Sequence, residues 1–488
     1  MAENIDNIYD VIIVGAGAVG CAVARELSRY ELKIAVLEKE SDVAAGTSGR
    51  NSAVVHAGFN NRPGSLMARL CVEGNEGFEK ICGEMDIPYK KTGKLVVAFD
   101  ESDYAGIDKL MEDGRKNGVK GLEFIEGDRV KKLEPYIGGI GAMLSPNTAI
   151  TSPFIYTVAL AENAARNGAR FFFETEVKGI AKRDGLFRLR AGNSYFYSRY
   201  IVNSAGLYSD QISSMAGDKG YKVYPCRGEY FILDKRTSQY LKMPVYPVPR
   251  PGIGGLGVHL TPTIEGNILI GPSAEYIKSK SDYSATKAVM DQLFKEAGEL
   301  LPPLGMKHII RSYTGIRSKL VGPKTGGFGD FIVEESKQVP GLINLIGIES
   351  PGLTASVPIS RMVRDIVSGS AELVQKKDFI NERKGIVQFR DLPIEQKEEL
   401  IRQCPDYGEI ICRCEGITKK EILDAIDNPL GVTTLAGIKY RARAMMGRCQ
   451  GGYCLTRIVE LLKEQKGIPP EQVTMRGKGS AMFTGKVK

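Results

Sequence analysis

Histidine is scarce in this chain. His56, His259 and His308 are its only imidazoles, so acid–base chemistry near neutral pH has three places to reside. Long apolar runs are missing as well. Nothing approaches the ~18 uninterrupted apolar residues of a membrane-spanning helix, so no direct membrane span is expected and any membrane contact would pass through a partner. The opening M-A-E-N-I-D-N-I-Y-D is acidic and polar, unlike a secretory signal, and a cytoplasmic location is the expectation. No block of lysine and arginine and no basic stripe interleaved with aromatics appears, which sets nucleic acid aside as a partner. A formal charge of +8 over 488 residues is modest and suits small anions instead. Nor is there an internal repeat or a low-complexity segment. Nine cysteines, an odd count without secretory context, argue against a disulfide framework.

Glycine is what the chain has in excess, at 56 residues against a usual ~7%. Its most telling use lies in Tyr9 to Glu38. An apolar run, Val11 to Val14, reads as a buried parallel strand. Gly15, Gly17 and Gly20 follow at G-x-G-x-x-G spacing, then a small-residue helix to about Tyr30 and a second apolar strand, Ile34 to Leu37, ending in Glu38. The first glycine makes the turn, the second admits a pyrophosphate to the backbone, and the third lets helix and strand pack closely. The helix N-terminus offers N–H groups to the anion, and Glu38 is placed to accept from a ribose hydroxyl. A dinucleotide site is expected.

The loop Ala44 to Phe59 is rich in small and hydroxyl residues, and Thr47, Ser48 and Ser52 could wrap a pyrophosphate. Glu73 to Met85 reads as a helix, Gly93 to Phe99 as a strand, Tyr156 to Asn167 as a helix stopped by Gly168, and Arg170 to Val177 as the next strand. Tyr200 to Asp210 is a buried strand ending in small residues, a second place for close backbone approach. From Val223 to Arg317 short strands broken by proline and glycine suggest an antiparallel, substrate-side sheet. Leu342 to Val363 returns to strand, glycine turn and helix. A chain of 488 residues is too long for one core.

Lys376 to Asp406 is charged and proline-punctuated, with a short helix near Glu395 to Arg402. The last domain begins near Gly408, with a capping box from Thr418 to Glu421 and an amphipathic helix over Leu455 to Leu462. The basic stretch Thr474 to Lys488 is expected to lie on the surface or touch a partner. Cys412, Cys414, Cys449 and Cys454 crowd into this domain. A C-x-C pair cannot share one helix face, so it implies a loop around a metal. Spacing alone leaves both a [2Fe–2S] cluster and a structural zinc open. Cys21, Cys71, Cys82, Cys226 and Cys404 are scattered, and are expected as small buried hydrophobes.

With these motifs in view, the first three-quarters of the chain resembles the D-amino-acid-oxidase-like superfamily of FAD enzymes. T-S-G-R-N-S-A-V-V-H-A-G, P-G-S-L-M-A-R-L-C-V-E-G-N, R-G-E-Y-F and L-G-V-H-L-T are most similar to L-2-hydroxyglutarate dehydrogenases. I-C-R-C-E-G-I-T with R-C-Q-G-G-Y-C resembles the [2Fe–2S] domain of bacterioferritin-associated ferredoxin, and the C-terminal module of anaerobic glycerol-3-phosphate dehydrogenase large subunits. The implied fold is α/β. It combines a Rossmann-type FAD-binding domain (1–90, 150–215 and 325–375) with an inserted, mainly antiparallel α+β substrate domain (91–149 and 216–324). A linker (376–407), a small helical [2Fe–2S] domain (408–460) and a C-terminal tail (461–488) follow.

The resemblance also implies site residues. FAD would sit on Gly15, Gly17, Gly20 and Glu38, with Thr47, Ser48, Asn51 and Ser52 near the pyrophosphate or flavin. Val177 would meet the adenine side through its backbone, and Gly206, Gly352, Leu353 and Thr354 would lie near the flavin and ribityl chain. Where relatives often have A-T-G, Val202 to Gly206 reads V-N-S-A-G, a small-for-small change that should be tolerated. The four clustered cysteines would hold a [2Fe–2S] cluster.

Oxidising a secondary alcohol with FAD needs hydride transfer to the flavin and a base for the hydroxyl proton. His56, at the end of the flavin-wrapping loop, and His259, in the substrate domain, are the candidates, while His308 in K-H-I-I reads as structural. An anionic substrate calls for an arginine fork. Family members carry one at the turn matching Arg317 in T-G-I-R-S; Arg227 and Arg50 are alternatives, and Tyr230 could orient the substrate. The expected activity is oxidation of sn-glycerol 3-phosphate, with L-2-hydroxyglutarate as the alternative. Electrons would leave through the cluster to a redox partner protein, such as another flavoprotein subunit, in an oligomer or hetero-complex. An amine or imino-acid dehydrogenase and a non-catalytic redox carrier are the other classes considered.

Overall fold

The computed structural model describes residues 8–249 and 257–485. At its centre, strand Ile8–Val14 runs parallel to Ile34–Leu37 on one side and to Ser194–Asn203 on the other, with Val11 facing Ile34 and Tyr200. Every residue of Ile34–Leu37 is buried, as a parallel strand covered on both faces requires. Helix Ala18–Leu27 packs between helices Pro153–Arg166 and Gly352–Ser368. Its run of alanine, glycine and cysteine permits that close approach. Strand Ser194–Asn203 is long enough to pair twice along one edge. Its first half runs antiparallel to Leu186–Ala191, and its last residues run parallel to Leu342–Ile346. The result is an eight-stranded sheet.

The second sheet has nine strands, mostly antiparallel. Its spine is Tyr224–Leu233 against Ile309–Lys319, a register that sets Cys226 opposite Arg317. Lys94–Ala98 joins it through parallel pairing with Val245–Pro247. The C-terminal unit is a two-stranded hairpin, Ile410–Cys412 with Ile417–Thr418, followed by helices Lys419–Ile426, Leu435–Ala442 and Leu455–Lys466. The Thr418–Glu421 capping box forms, with the Glu421 carboxylate accepting from Thr418 N at 2.8 Å.

Several elements differ from the sequence reading. The helix expected from Glu73 starts earlier, at Leu66, because Ser65 caps it and the Asp330 carboxylate accepts from Leu66 N and Met67 N, both at 2.8 Å. Arg170 to Val177 is not one strand. It breaks into Arg170–Phe172 and Val177–Arg183 around Glu174, whose φ is +50°. His308 lies in a 3₁₀ turn just before its strand. Helix Leu455–Lys466 runs through residue 460, and Met475, Met482 and Phe483 fold back onto the core of this unit. The segment expected as a linker is fastened along its course: Arg383 pairs with Glu162 at 2.7 Å. Among the described residues no helix is long and apolar enough to cross a membrane.

Candidate functional site

One cavity of about 2300 Å³ opens between the two sheets, larger than the ~300–1,000 Å³ of an ordinary ligand pocket and roomy enough for a dinucleotide with a small substrate beside it. At one end Gly15 and Gly17 form its wall. A Cβ on Gly15, at φ +104°, would come 2.7 Å from Ser204 O, and one on Gly17 would come 3.0 Å from Ser48 Oγ. Gly20 stays behind the wall, where a Cβ would lie 2.0 Å from Gly15 O. The Ser204 hydroxyl of V-N-S-A-G donates to Val14 O and Gly15 O, at 3.0 and 2.9 Å, and so ties the turn down.

Glu38 lines the same end, its carboxylate accepting from Ala16 N at 2.7 Å and Glu40 N at 2.9 Å. Burial raises its pKa, and those two N–H groups draw it partly back. Val177 and Gly206 line the same cavity.

Thr47, Ser48, Asn51 and Ser52 all border the cavity. Ser48 Oγ accepts from Ala18 N at 2.9 Å, at the mouth of helix Ala18–Leu27. Thr47 donates instead to Ile316 O across to the second sheet, at 2.8 Å. Asn51 knits the loop by donating to Thr47 O and Ser48 O. Gly352 and Leu353 also line the cavity. Thr354 does not; its hydroxyl accepts from His56 N at 3.0 Å and fixes that residue from behind.

The far end gathers both candidate histidines and Arg317. His56 Nε2 lies 3.3 Å from Ser350 Oγ. Burial, then the Lys94 charge, lowers its pKa to about 3. His259 is buried, stacked on Tyr246 at 3.7 Å between centroids, with Nδ1 3.0 Å from Gly257 O. A carbonyl only accepts, so Nδ1 carries the hydrogen and Nε2 keeps the lone pair. Burial and Lys94 hold its pKa well below the usual range. Arg317 lines the cavity, and both its terminal nitrogens donate to Ser273 O, at 3.2 and 3.3 Å, which fixes the guanidinium in place. Tyr230 stands beside it, stacked on Tyr313 at 4.5 Å. Arg227 turns away and pairs with Glu275 and Asp282, at 2.7 and 2.9 Å, a structural role. His308 caps its own turn by accepting from Gly305 N.

Lys94 escaped the sequence reading. It is 2% exposed, its Nζ 3.3 Å from the Tyr246 ring centre, and both histidines feel its charge. The available signal was a lysine inside an otherwise apolar strand. Also unforeseen, the C-terminal unit reaches the cavity through Tyr440 and Arg476.

In that unit Cys412 ends a strand, Cys414 lies in the following turn, and Cys454 caps helix Leu455–Lys466. The Cys412 and Cys414 sulfurs are 4.0 Å apart, Cys414 and Cys449 are 3.6 Å apart, and the Cys454 thiol beside Cys412 pushes the Cys412 pKa up. Thiolates sharing one tetrahedral metal at ~2.3 Å bonds stand about 3.8 Å apart, so neighbours are at ligand spacing. Four thiols gathered in one small unit supply the ligand number of a [2Fe–2S] cluster.

Comparisons with known proteins agree with this geometry. The family model for FAD dependent oxidoreductases (DAO) matches residues 10–366, and the model for a BFD-like [2Fe-2S] binding domain matches residues 410–464. A glycerol 3-phosphate dehydrogenase from Caloramator mitchellensis is 38% identical over 99% of each chain. The mitochondrial L-2-hydroxyglutarate dehydrogenase of Arabidopsis thaliana is 34% identical, over 72% of this chain and 82% of its own. An L-alpha-glycerophosphate oxidase from Mycoplasma pneumoniae, solved with FAD bound, superposes with a TM-score of 0.72 at 28% identity, covering 77% of this chain and 98% of that one. The glycine cradle lies within the first matched range and the four thiols within the second, and the chain belongs to the FAD dependent oxidoreductase family, with a BFD-like [2Fe-2S] domain behind the oxidoreductase core.

Proposed function

We propose that this protein is a dehydrogenase that oxidises the secondary alcohol of sn-glycerol 3-phosphate to dihydroxyacetone phosphate. What carries the reading is the convergence of Arg317, His56 and His259 on one end of a dinucleotide-sized cavity, in a chain aligned end to end with a glycerol 3-phosphate dehydrogenase. When bound, FAD supplies a two-electron hydride acceptor, and a [2Fe–2S] cluster supplies a one-electron outlet toward a partner protein.

The residues of the chain do the rest. Arg317 offers the substrate anion its fixed positive charge and the N–H groups that Ser273 O does not take. Burial and Lys94 hold both imidazoles in the neutral form that can accept a proton, and a substrate anion beside them raises their basicity toward what taking the hydroxyl proton needs. Ser350, hydrogen-bonded to His56, fixes that ring.

The L-2-hydroxyglutarate dehydrogenases, 30–34% identical over about three-quarters of this chain, support a second reading with the same chemistry on a carboxylate anion. Anaerobic mixing of the protein with each compound separates the two. Bleaching of the flavin absorbance by sn-glycerol 3-phosphate alone supports the first reading. Bleaching only by L-2-hydroxyglutarate overturns it, and bleaching by neither removes both. His56→Asn and His259→Asn then identify the base by which one abolishes the bleaching.

A further inference from the structure

Two arginines from opposite ends of the chain face the nucleotide end of the cavity. Arg50 stands two residues beyond Ser48, the residue at the mouth of helix Ala18–Leu27. Its Nε turns back to Ala45 O at 3.2 Å and its guanidinium lies 4.3 Å over the Tyr283 ring. Arg476 arrives from the turn after the last helix, and its Nη2 donates to Tyr440 Oη at 3.0 Å. Tyr440 in turn stacks on Phe154 of the FAD domain, at 4.3 Å and 7°. The backbone beside Arg476 is pinned to the same domain. Lys478 N donates to Glu174 Oε1 at 2.9 Å, and a Cβ on Gly477 would come 2.7 Å from Ser41 Cβ.

Both guanidiniums spend their hydrogen bonds on neutral oxygens. Among the described residues neither has a carboxylate partner; the nearby Glu40 is paired with Lys39 at 3.6 Å. Two like charges sharing one wall repel, and burial together with the Arg476 charge depresses the pKa of Arg50. Such a pair is relieved by an anion between them, and phosphate is the anion that an arginine fork fits. The place is set by Ser48, next to the helix N-terminus where a dinucleotide's phosphates are received.

We propose that Arg50 and Arg476 form a phosphate clamp over the pyrophosphate of the bound dinucleotide, so that the C-terminal [2Fe–2S] domain is a structural part of the FAD site. The clamp rests on the reading of this cavity as an FAD site. It makes cofactor retention depend on the docking of the domain through which electrons leave.

The test is a titration of FAD into deflavinated full-length protein, followed by flavin fluorescence. Arg50→Ala and Arg476→Ala should each weaken FAD binding ~10- to 100-fold, while Arg476→Lys retains part of it. Riboflavin, which lacks the pyrophosphate, should bind all variants alike. Equal thermal midpoints and an unchanged iron–sulfur spectrum show that the domain is still folded and docked. Unaltered FAD affinity in both alanine variants overturns the clamp. If the KM for sn-glycerol 3-phosphate rises instead, the phosphate served is the substrate's. A wild-type protein that takes up no FAD overturns the cavity reading, and the clamp with it.

Discussion

Arg441 of the C-terminal domain donates two hydrogen bonds to Asp42 of the FAD domain, at 2.6 and 3.1 Å, with both side chains almost wholly buried. The same guanidinium reaches Glu162 through Nε at 3.4 Å, and Glu162 is shared with Arg383. One buried network therefore joins the loop after the second strand, helix Pro153–Arg166, the connecting segment and helix Leu435–Ala442. It holds Tyr440 and Arg476 against the cavity.

Arg441→Met should undock this domain. The substitution leaves two carboxylates buried with part of their counter-charge gone, a loss of ~3–5 kcal/mol when a buried pair is broken from one side. The expected signs are a lower thermal midpoint and new protease cleavage within residues 376–407. Asp42→Asn, which keeps the shape and one acceptor, should cost less. Equal protease resistance in Arg441→Met and wild type would show that the network is not what fastens the domain.

Lys94 makes a prediction about pH. With its pKa lowered by burial to about 7 from 10.5, it binds its proton more readily in the unfolded chain between those values. Its contribution to stability is therefore complete above the unfolded value and is lost as pH falls to about 7. Lys94→Met should be more stable than wild type near neutrality, with the gap closing toward about pH 10, as urea unfolding can measure. The same change removes a charge that lowers both histidine pKa values, so the acid limb of kcat/KM for flavin reduction should move to higher pH. In wild type His56, at about 3, stays uncharged across the roughly pH 5–8 range in which a free histidine titrates. A Lys94→Met profile with an unmoved limb would deny that Lys94 keeps the imidazoles neutral.

How far the sequence reached follows the range of the forces involved. The Gly15–Gly17–Gly20 turn with Glu38 was legible because strand, turn and helix follow one another directly in the chain, although Gly15 and Gly17 answer contacts from Ser204 and Ser48 far along it. The Thr418 capping box was legible for the same reason. The first turns of helix Leu66–Met85 escaped the pattern because its start is held by Asp330, far away in sequence. Gly74, inside the helix, admits helix Gly352–Ser368, where a Cβ would strike Thr354 O at 2.1 Å. Lys94 and Arg476 stand out only by what the fold brings to them: Tyr246 and the two histidines for one, Arg50 for the other. No local pattern marks either.

Arg317 should govern substrate affinity more than cofactor binding. Its position is fixed by two donations to Ser273 O, so lysine cannot reproduce the fork. Arg317→Lys is expected to raise the KM for sn-glycerol 3-phosphate ~10- to 150-fold, the ~1.5–3 kcal/mol of a charge-assisted hydrogen bond, while the flavin spectrum stays that of wild type. Arg317→Met should do at least as much. A fall in kcat with KM unchanged would instead place Arg317 on the transition state alone.

Cys414 and Cys449 divide the two half-reactions. They are the more accessible members of the row, and the other two lie in the core of the C-terminal domain. Changing an outer thiol therefore removes a ligand with least harm to packing. Cys449→Ser should lose the iron–sulfur absorbance and the EPR signal of the reduced cluster. Substrate should still bleach the flavin, because Arg317 and both histidines lie in the cavity between the sheets and not among the cysteines. Turnover with a one-electron protein acceptor should fall to background, since a reduced flavin needs a one-electron outlet to serve it. Retention of full turnover by a cluster-free variant would mean that electrons leave directly from the flavin, and that the C-terminal domain serves the cofactor site rather than the outlet.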